Sequence, residues 1–116
     1  MEIRIIKNGI TLAELKAMAS AEFGDVVKAV VDVGQGIMAV GGELHADEEV
    51  FLTEKADSKR ENTWGINIYP TKSGDERIEF DSMINLKPSF GNRSRDVESV
   101  ETREKIKGIF NKLVGK

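Results

Sequence analysis

Residues 26–40 of the chain read VVKAVVDVGQGIMAV. The β-branched residues of 26–33 and the continuous apolar run 37–40 are typical of buried strands. Between the two runs, Gly34-Gln35-Gly36 has the length and the glycines of a hairpin turn. The segment therefore predicts a buried hairpin at the centre of a sheet.

A strand and a helix are predicted before this hairpin. Ile3, Ile5 and Ile6 favour a short strand that ends at Asn8-Gly9. Thr11 and Glu14 then have the spacing of a capping box, in which each side chain accepts a hydrogen bond from the other residue's backbone N–H. Apolar residues recur at helical spacing after them, and Gly24 suits a left-handed helix end. The pattern predicts a helix over residues 11–23.

Three further strands are predicted after the hairpin, over residues 49–54, 64–69 and 78–87. The last two alternate between apolar and polar residues and are interpreted as neighbours in the sheet. Matching their apolar faces sets Trp64 opposite Ile84 and Asn67 opposite Asp81. Trp64, Ile66, Phe80 and Ile84 would then share the face that the helices cover, and Asn67, Asp81 and Asn85 the other.

A second helix is predicted at the end of the chain. Ser99 is a suitable N-cap, Glu101 lies in the first turn, and an apolar stripe runs from Ile106 to Val114. The predicted fold is a single α+β domain over residues 1–116, with a mainly antiparallel sheet of five to six strands and two helices packed on one face.

Composition limits the classes of function. The 116 residues are 40% apolar and 32% charged, and 17 basic against 20 acidic side chains give a net charge of -3. This balance makes nucleic-acid binding unlikely, although Trp64 and Tyr69 beside arginines could stack on single-stranded RNA. With no cysteine, thiol catalysis and disulfides are excluded, and with no long apolar run no membrane span is expected. We expect a cytoplasmic protein without a cofactor.

The only histidine, His45, lies in an acidic segment, residues 43–49. Its carboxylates would favour the protonated imidazole. His45 and Asp47 could form half of a site for manganese, magnesium or iron, completed by Glu43, Glu48, Glu49 or Asp81. Alternatively His45 could act as a general base for Ser82, Ser89 or Ser94, although no Gly-x-Ser-x-Gly elbow surrounds these serines. In the simplest interpretation, His45 orients a turn or pairs with Asp47.

Residues 87–95 form a basic loop that reads KPSFGNRSR, with three positive charges and no negative one. Arg93 and Arg95 would project to one side of an extended segment, and Gly91-Asn92 allows backbone N–H groups to turn outward. Forked guanidiniums and oriented amides suit a phosphate or a carboxylate. The alternative is that these arginines pair with Asp81 or with carboxylates of residues 43–49 and simply fasten the loop.

These two segments together define the predicted site. The predicted ligand-binding residues are Arg93, Arg95, Asn92, His45, Asp47, Asn67, Asp81 and Asn85, and no resident metal is expected. The predicted function is a small binding or regulatory module for an anionic ligand or a protein partner, with its site where residues 87–95 approach residues 43–49. The alternative is a small hydrolase or metal-dependent enzyme that uses His45 and Asp47.

Six segments of the chain also carry a family resemblance. They read KAVVDV (28–33), GIMAVGGE (36–43), HAD (45–47), WGIN (64–67), FDSMIN (80–85) and GNRS (91–94). Together they resemble a small uncharacterised microbial family, the domain of unknown function 5674. The resemblance spans nearly the whole chain and implies a single domain, but it brings no activity, cofactor or catalytic residue with it.

Overall fold

A computed structural model of the chain describes residues 2–115. The strands are β1 (Arg4–Ile6), β2 (Ile10–Thr11), β3 (Val27–Asp32), β4 (Ile37–Val40), β5 (Thr63–Ile68), β6 (Ile78–Glu79) and β7 (Val114–Gly115). The helices are α1 (Leu12–Glu22), α2 (His45–Ala56) and α3 (Val100–Leu113). Short 3-10 turns cover residues 60–62, 74–77, 83–85 and 88–90. The fold is α+β, as predicted, with three helices rather than two.

Five of the strands form an antiparallel sheet in the order β1-β4-β3-β5-β6, and β2 pairs with β7 as a separate parallel ladder. The β3–β4 hairpin is confirmed, and every residue of β4 is buried. Asp32 closes its turn, because its Oδ1 atom accepts from the backbone N–H groups of Gly34 and Gln35 at 2.8 and 3.1 Å. The same carboxylate accepts from the Ser58 hydroxyl at 2.6 Å, which ties the hairpin to the segment after α2.

The predicted helix ends are also confirmed. Thr11 and Glu14 form the capping box, with side chain to backbone distances of 3.1 and 3.2 Å. The α1 helix ends before Gly24, which has a φ of +90° and donates to the Ala19 carbonyl. Ser99 caps α3 by accepting from the Thr102 N–H at 3.2 Å. Local capping chemistry therefore fixes where both helices begin.

The predicted strand over residues 49–54 is wrong, because these residues lie within α2. The side chains that α2 turns toward the sheet include Glu48 and Leu52, which are fully buried, and His45 and Glu49, which are partly buried. These four recur at helical spacing, but three of them are polar. A search for apolar periodicity cannot detect such a stripe.

The predicted strand over residues 78–87 is mostly wrong, because β6 is only two residues long. Asn67 lies opposite Glu79, two residues before its predicted partner Asp81, and Ile68 lies opposite Ile78. Trp64 lies opposite Val31 of β3 rather than opposite Ile84. Beyond β6 the chain leaves the sheet and forms the 3-10 turn at residues 83–85.

Beyond the end of β6, side chains rather than a strand make the hydrogen bonds at the outer edge of β5. The Asn85 carboxamide accepts from the Gly65 N–H at 2.8 Å and donates to the Gly65 carbonyl at 3.0 Å, as the backbone of a neighbouring strand would. Two residues before Gly65 on the same strand, the Thr63 carbonyl accepts from the Lys87 ammonium group. The β5 edge is therefore satisfied in turn by a strand, an amide and an ammonium group.

Two hydrophobic clusters lie on opposite sides of the sheet, because side chains alternate along each strand. Trp64 and Ile66 of β5 belong to the larger cluster, together with Leu15 of α1 and Phe110 of α3, and Phe80 packs against it. The smaller cluster contains Val30 of β3, Leu52 of α2 and Ile84. The predicted grouping therefore holds for Trp64, Ile66 and Phe80 and is wrong for Ile84, which lies beside α2.

Candidate functional site

His45 is the first residue of α2 and reaches across to β5. Its Nε2 atom lies 2.9 Å from the Ile66 carbonyl oxygen, so this nitrogen carries the proton that is donated. Burial lowers the pKa of His45 below its usual 6.5, against the opposite effect of the Ile66 hydrogen bond. The prediction that carboxylates favour the protonated ring is therefore corrected, because burial favours the neutral ring.

Gly65 lets this histidine approach the sheet. A β-carbon at residue 65 would lie 2.6 Å from the side chain of Ser82 and 3.2 Å from Cδ2 of His45. Ser82 is one of the serines considered as a nucleophile, but its hydroxyl oxygen accepts from the Ile84 N–H, and the hydrogen bond of His45 is to Ile66. The two side chains thus share the space above Gly65 without being hydrogen-bonded to each other.

Asp47 makes no hydrogen bond or ion pair with His45. Within residues 2–115 its carboxylate has no hydrogen bond or ion pair, and it is exposed, as is Glu43. No group of three metal-ligating side chains occurs in the same range. The structure therefore brings together neither a His45–Asp47 pair nor the set of oxygen ligands proposed for manganese, magnesium or iron.

Glu48, considered from the sequence only as a possible metal ligand, is the buried carboxyl group of this region. Its side chain has no exposed surface, and its Oε2 atom accepts from the Gly42 N–H at 2.9 Å. Its Oε1 atom has no partner among the described residues. Burial raises the pKa of Glu48 well above its usual value, while the Gly42 hydrogen bond and Lys28 act in the opposite direction.

This burial predicts how stability depends on pH. A carboxyl group whose pKa is raised on folding binds more protons in the native state than in the unfolded state. The contribution of Glu48 to the free energy of unfolding is therefore fully present below its unfolded pKa of about 4.5, and it is lost as pH rises through the folded pKa. Glu48→Gln keeps the shape without the charge. We expect this variant to exceed the wild type in unfolding free energy by at least about 1 kcal/mol at pH 8, and by less at pH 4.

Urea unfolding at several pH values would measure this difference. Glu61→Gln is the matched control, because Glu61 is exposed on the 3-10 turn that follows α2. The control should follow the wild-type curve at every pH. A Glu48→Gln curve parallel to the wild-type curve from pH 4 to pH 8 would show that Glu48 ionises normally.

The basic loop is organised by side chains that turn inward. Lys87 is buried, and its ammonium group donates to the carbonyls of Arg60 and Thr63. The ammonium nitrogen lies 4.0 Å from a carboxylate oxygen of Glu49 and 4.5 Å from the centre of the Trp64 ring. Burial lowers the pKa of Lys87 to about 8, and Glu49 opposes this. One of the three predicted positive charges therefore faces the interior.

Asn92 holds the loop closed. Its Nδ2 donates to the carbonyls of Asn85 and Asp96 at 2.7 and 2.6 Å, and its Oδ1 accepts from the Glu98 N–H at 2.9 Å. Its backbone exchanges two hydrogen bonds with Lys87. Asn85 and Asn92, both predicted to bind a ligand, are buried and bond to the backbone of their own chain.

The remaining predicted residues lie around Asp81. Arg95 donates from Nε to Asp81 at 2.6 Å, the pairing foreseen in the alternative interpretation of the loop. Asn67 donates to the Asp81 carbonyl at 3.1 Å, and Asn85 donates to the Arg95 carbonyl at 3.0 Å. Arg93 is exposed, and its guanidinium makes no hydrogen bond or ion pair with any residue from 2 to 115. Five of the predicted residues, Asn67, Asp81, Asn85, Asn92 and Arg95, thus form one hydrogen-bonded cluster beside β5, whereas Arg93, His45 and Asp47 lie outside it.

Comparison with known proteins gives a family and no activity. A family model described as "Protein of unknown function (DUF5674)" matches residues 4–113. No curated protein and no solved structure matches the chain. None of the helices within residues 2–115 has the length and apolar character needed to cross a membrane.

Proposed function

Since the chain belongs to the DUF5674 family of proteins of unknown function, we propose its function from the site geometry: it is a cytoplasmic binding module whose loop of residues 87–95 captures an anionic group. The group would be a carboxylate or a phosphate, on a small ligand or on a protein partner. The observation that carries the proposal is Arg93, an exposed guanidinium without an acidic partner among the described residues, mounted on a loop that buried side chains hold in place.

The fixed loop favours binding, because a ligand does not have to order it. The Lys87 and Asn92 side chains anchor the first part of the loop, and their backbones close residues 87–92 with hydrogen bonds of 2.9 and 3.1 Å, directly before Arg93. Gly91 at the tip has a φ of +85°, which suits glycine. A rigid loop loses little conformational entropy on binding, so more of the interaction energy appears as affinity.

Arg95 supplies a second guanidinium that is only partly used. Its Nε atom bonds Asp81, while its two terminal nitrogens make no hydrogen bond within residues 2–115. The Arg95 and Asp81 side chains are 55% and 46% exposed, so water screens their ion pair. An incoming anion can therefore bind to the terminal nitrogens of Arg95 as well as to Arg93.

Inorganic phosphate is the simplest probe of this proposal. At about 1 to 10 mM phosphate the backbone amide signals of Gly91 to Arg95 should shift together in NMR spectra. Arg93→Lys with Arg95→Lys should keep the charge but lose the planar fork, and should weaken binding by about tenfold. Arg4→Lys, at an exposed residue of β1, is the matched control and should bind phosphate normally. Signals that stay still at high phosphate would remove the anion site.

A further inference from the structure

Exposed apolar side chains are concentrated on one part of the surface. Among the described residues, seven large apolar side chains are exposed, and five of them lie on α2, at its N-cap or on the segment 83–90. These five are Leu44, Val50, Met83, Leu86 and Phe90, with exposures from 41% to 61%. We call α2, with its N-cap, and residues 83–93 together the α2–loop surface. An apolar concentration of this kind is typical of a protein interaction site.

The two halves of the α2–loop surface are in contact. Ile84 of the segment packs with Leu52 of α2 in the smaller cluster. Lys87 lies 4.0 Å from Glu49 of α2, which also accepts from the Thr63 hydroxyl at 2.6 Å. The two halves therefore lie side by side, joined by buried contacts beneath them.

The two halves carry opposite charge. Asp47 and Glu54 are exposed on α2, and neither carboxylate has a partner within residues 2–115. The other half carries Arg93, also exposed and unpaired in that range. In a two-fold symmetric dimer, the basic half of each copy would contact the acidic half of the other copy, so the same contact would form twice. A surface with opposite charges side by side is complementary to itself.

We propose that the α2–loop surface binds a second copy of this chain. The inference rests on the proposed function, since the anionic group that Arg93 captures is then a carboxylate of α2 on the other copy. Phe90, fixed at the tip of the loop, supplies the aromatic anchor, and Val50, one turn before Glu54, supplies apolar surface to receive it. Rigid aromatic and arginine side chains are the residues that most often dominate such interfaces.

Sedimentation equilibrium of the full chain at low salt tests this inference. The wild type should form a dimer as its concentration rises to about 100 μM. Phe90→Ser and Arg93→Glu should each weaken dimerisation at least about tenfold. Phe23→Ser is the matched control, because Phe23 is 43% exposed at the end of α1, outside this surface. A wild type that stays monomeric, or a dimer that only Phe23→Ser disrupts, overturns the inference.

A charge exchange tests the orientation. Glu54→Arg should weaken the dimer as Arg93→Glu does, and a chain carrying both changes should recover at least about half of the lost binding free energy. No recovery in the double variant would overturn the proposed pairing. Circular dichroism of each variant shows whether the fold is kept.

Phosphate separates this inference from the function on which it rests. The Glu54→Arg variant keeps Arg93 and Arg95 while losing the dimer. If this variant shows the phosphate shifts at Gly91 to Arg95 but the wild type never dimerises, the dimer inference fails and the anion site stands. If the dimer forms and responds to the charge exchange without any phosphate shift, the small-anion site fails and the loop is a protein-binding element.

Discussion

Lys87→Met is expected to reduce the free energy of unfolding by roughly 3 to 5 kcal/mol, the usual loss when one partner of a buried charged network is removed. Methionine fills most of the space but donates no hydrogen bond. The carbonyls of Arg60 and Thr63 would be left without the ammonium group, and Glu49 without its nearest buried cation. Urea unfolding followed by circular dichroism measures the loss.

Lys59→Met is the matched control for this prediction. Lys59 is 63% exposed in its side chain, and its ion pair with Asp57 is 3.8 Å long. Its replacement should change stability by no more than about 0.5 kcal/mol. If Lys87→Met were equally mild, the ammonium group would have to be solvated rather than enclosed by the backbone of β5.

Trp64→Ala is expected to cost about 3 to 5 kcal/mol, the range for removing a buried aromatic side chain. The indole is 7% exposed within the larger hydrophobic cluster, and the Lys87 ammonium lies 4.5 Å from its ring centre. Because Trp64 is the only tryptophan, unfolding of the variant is followed by circular dichroism. Phe23→Ala removes an exposed aromatic side chain instead and should cost less than about 1 kcal/mol.

A melting shift of only a degree or two for Trp64→Ala would contradict the burial of the indole. Combining Trp64→Ala with Lys87→Met gives a further check, because the two side chains are in contact. The double variant should lose less than the two single losses added together. Strict additivity would mean that the ring contributes nothing to holding the ammonium group.

The sequence patterns that predicted correctly are local ones. The capping box at Thr11 and Glu14 and the β-branched run of β3 act through neighbouring residues, so their structure can be inferred without the rest of the fold. The α2 helix was missed for the opposite reason. Its buried side includes His45, Glu48 and Glu49, which are polar and so add nothing to an apolar period. Their hydrogen-bond partners are Ile66, Gly42 and Thr63, and none of these lies in the helix itself.

The candidate site was predicted as a group of residues, but not in its organisation. Asn67, Asp81, Asn85, Asn92 and Arg95 do lie in one hydrogen-bonded cluster. Which of them face solvent could not be inferred, because an asparagine that binds a ligand and one that supports a loop have the same side chain. Lys87 and Glu48 show the same limit, since a charged residue gives no local sign that the fold will enclose it.

The Asn85 carboxamide also bears on aggregation. An open sheet edge displays unpaired N–H and C=O groups, on which a strand from another molecule can add and so begin a fibril. At Gly65 the Asn85 side chain already bonds both groups, and a side chain presents no new strand edge of its own. At Thr63 the Lys87 ammonium bonds the carbonyl. Although β6 covers only two residues of β5, the strand therefore does not offer these uncovered positions as a template.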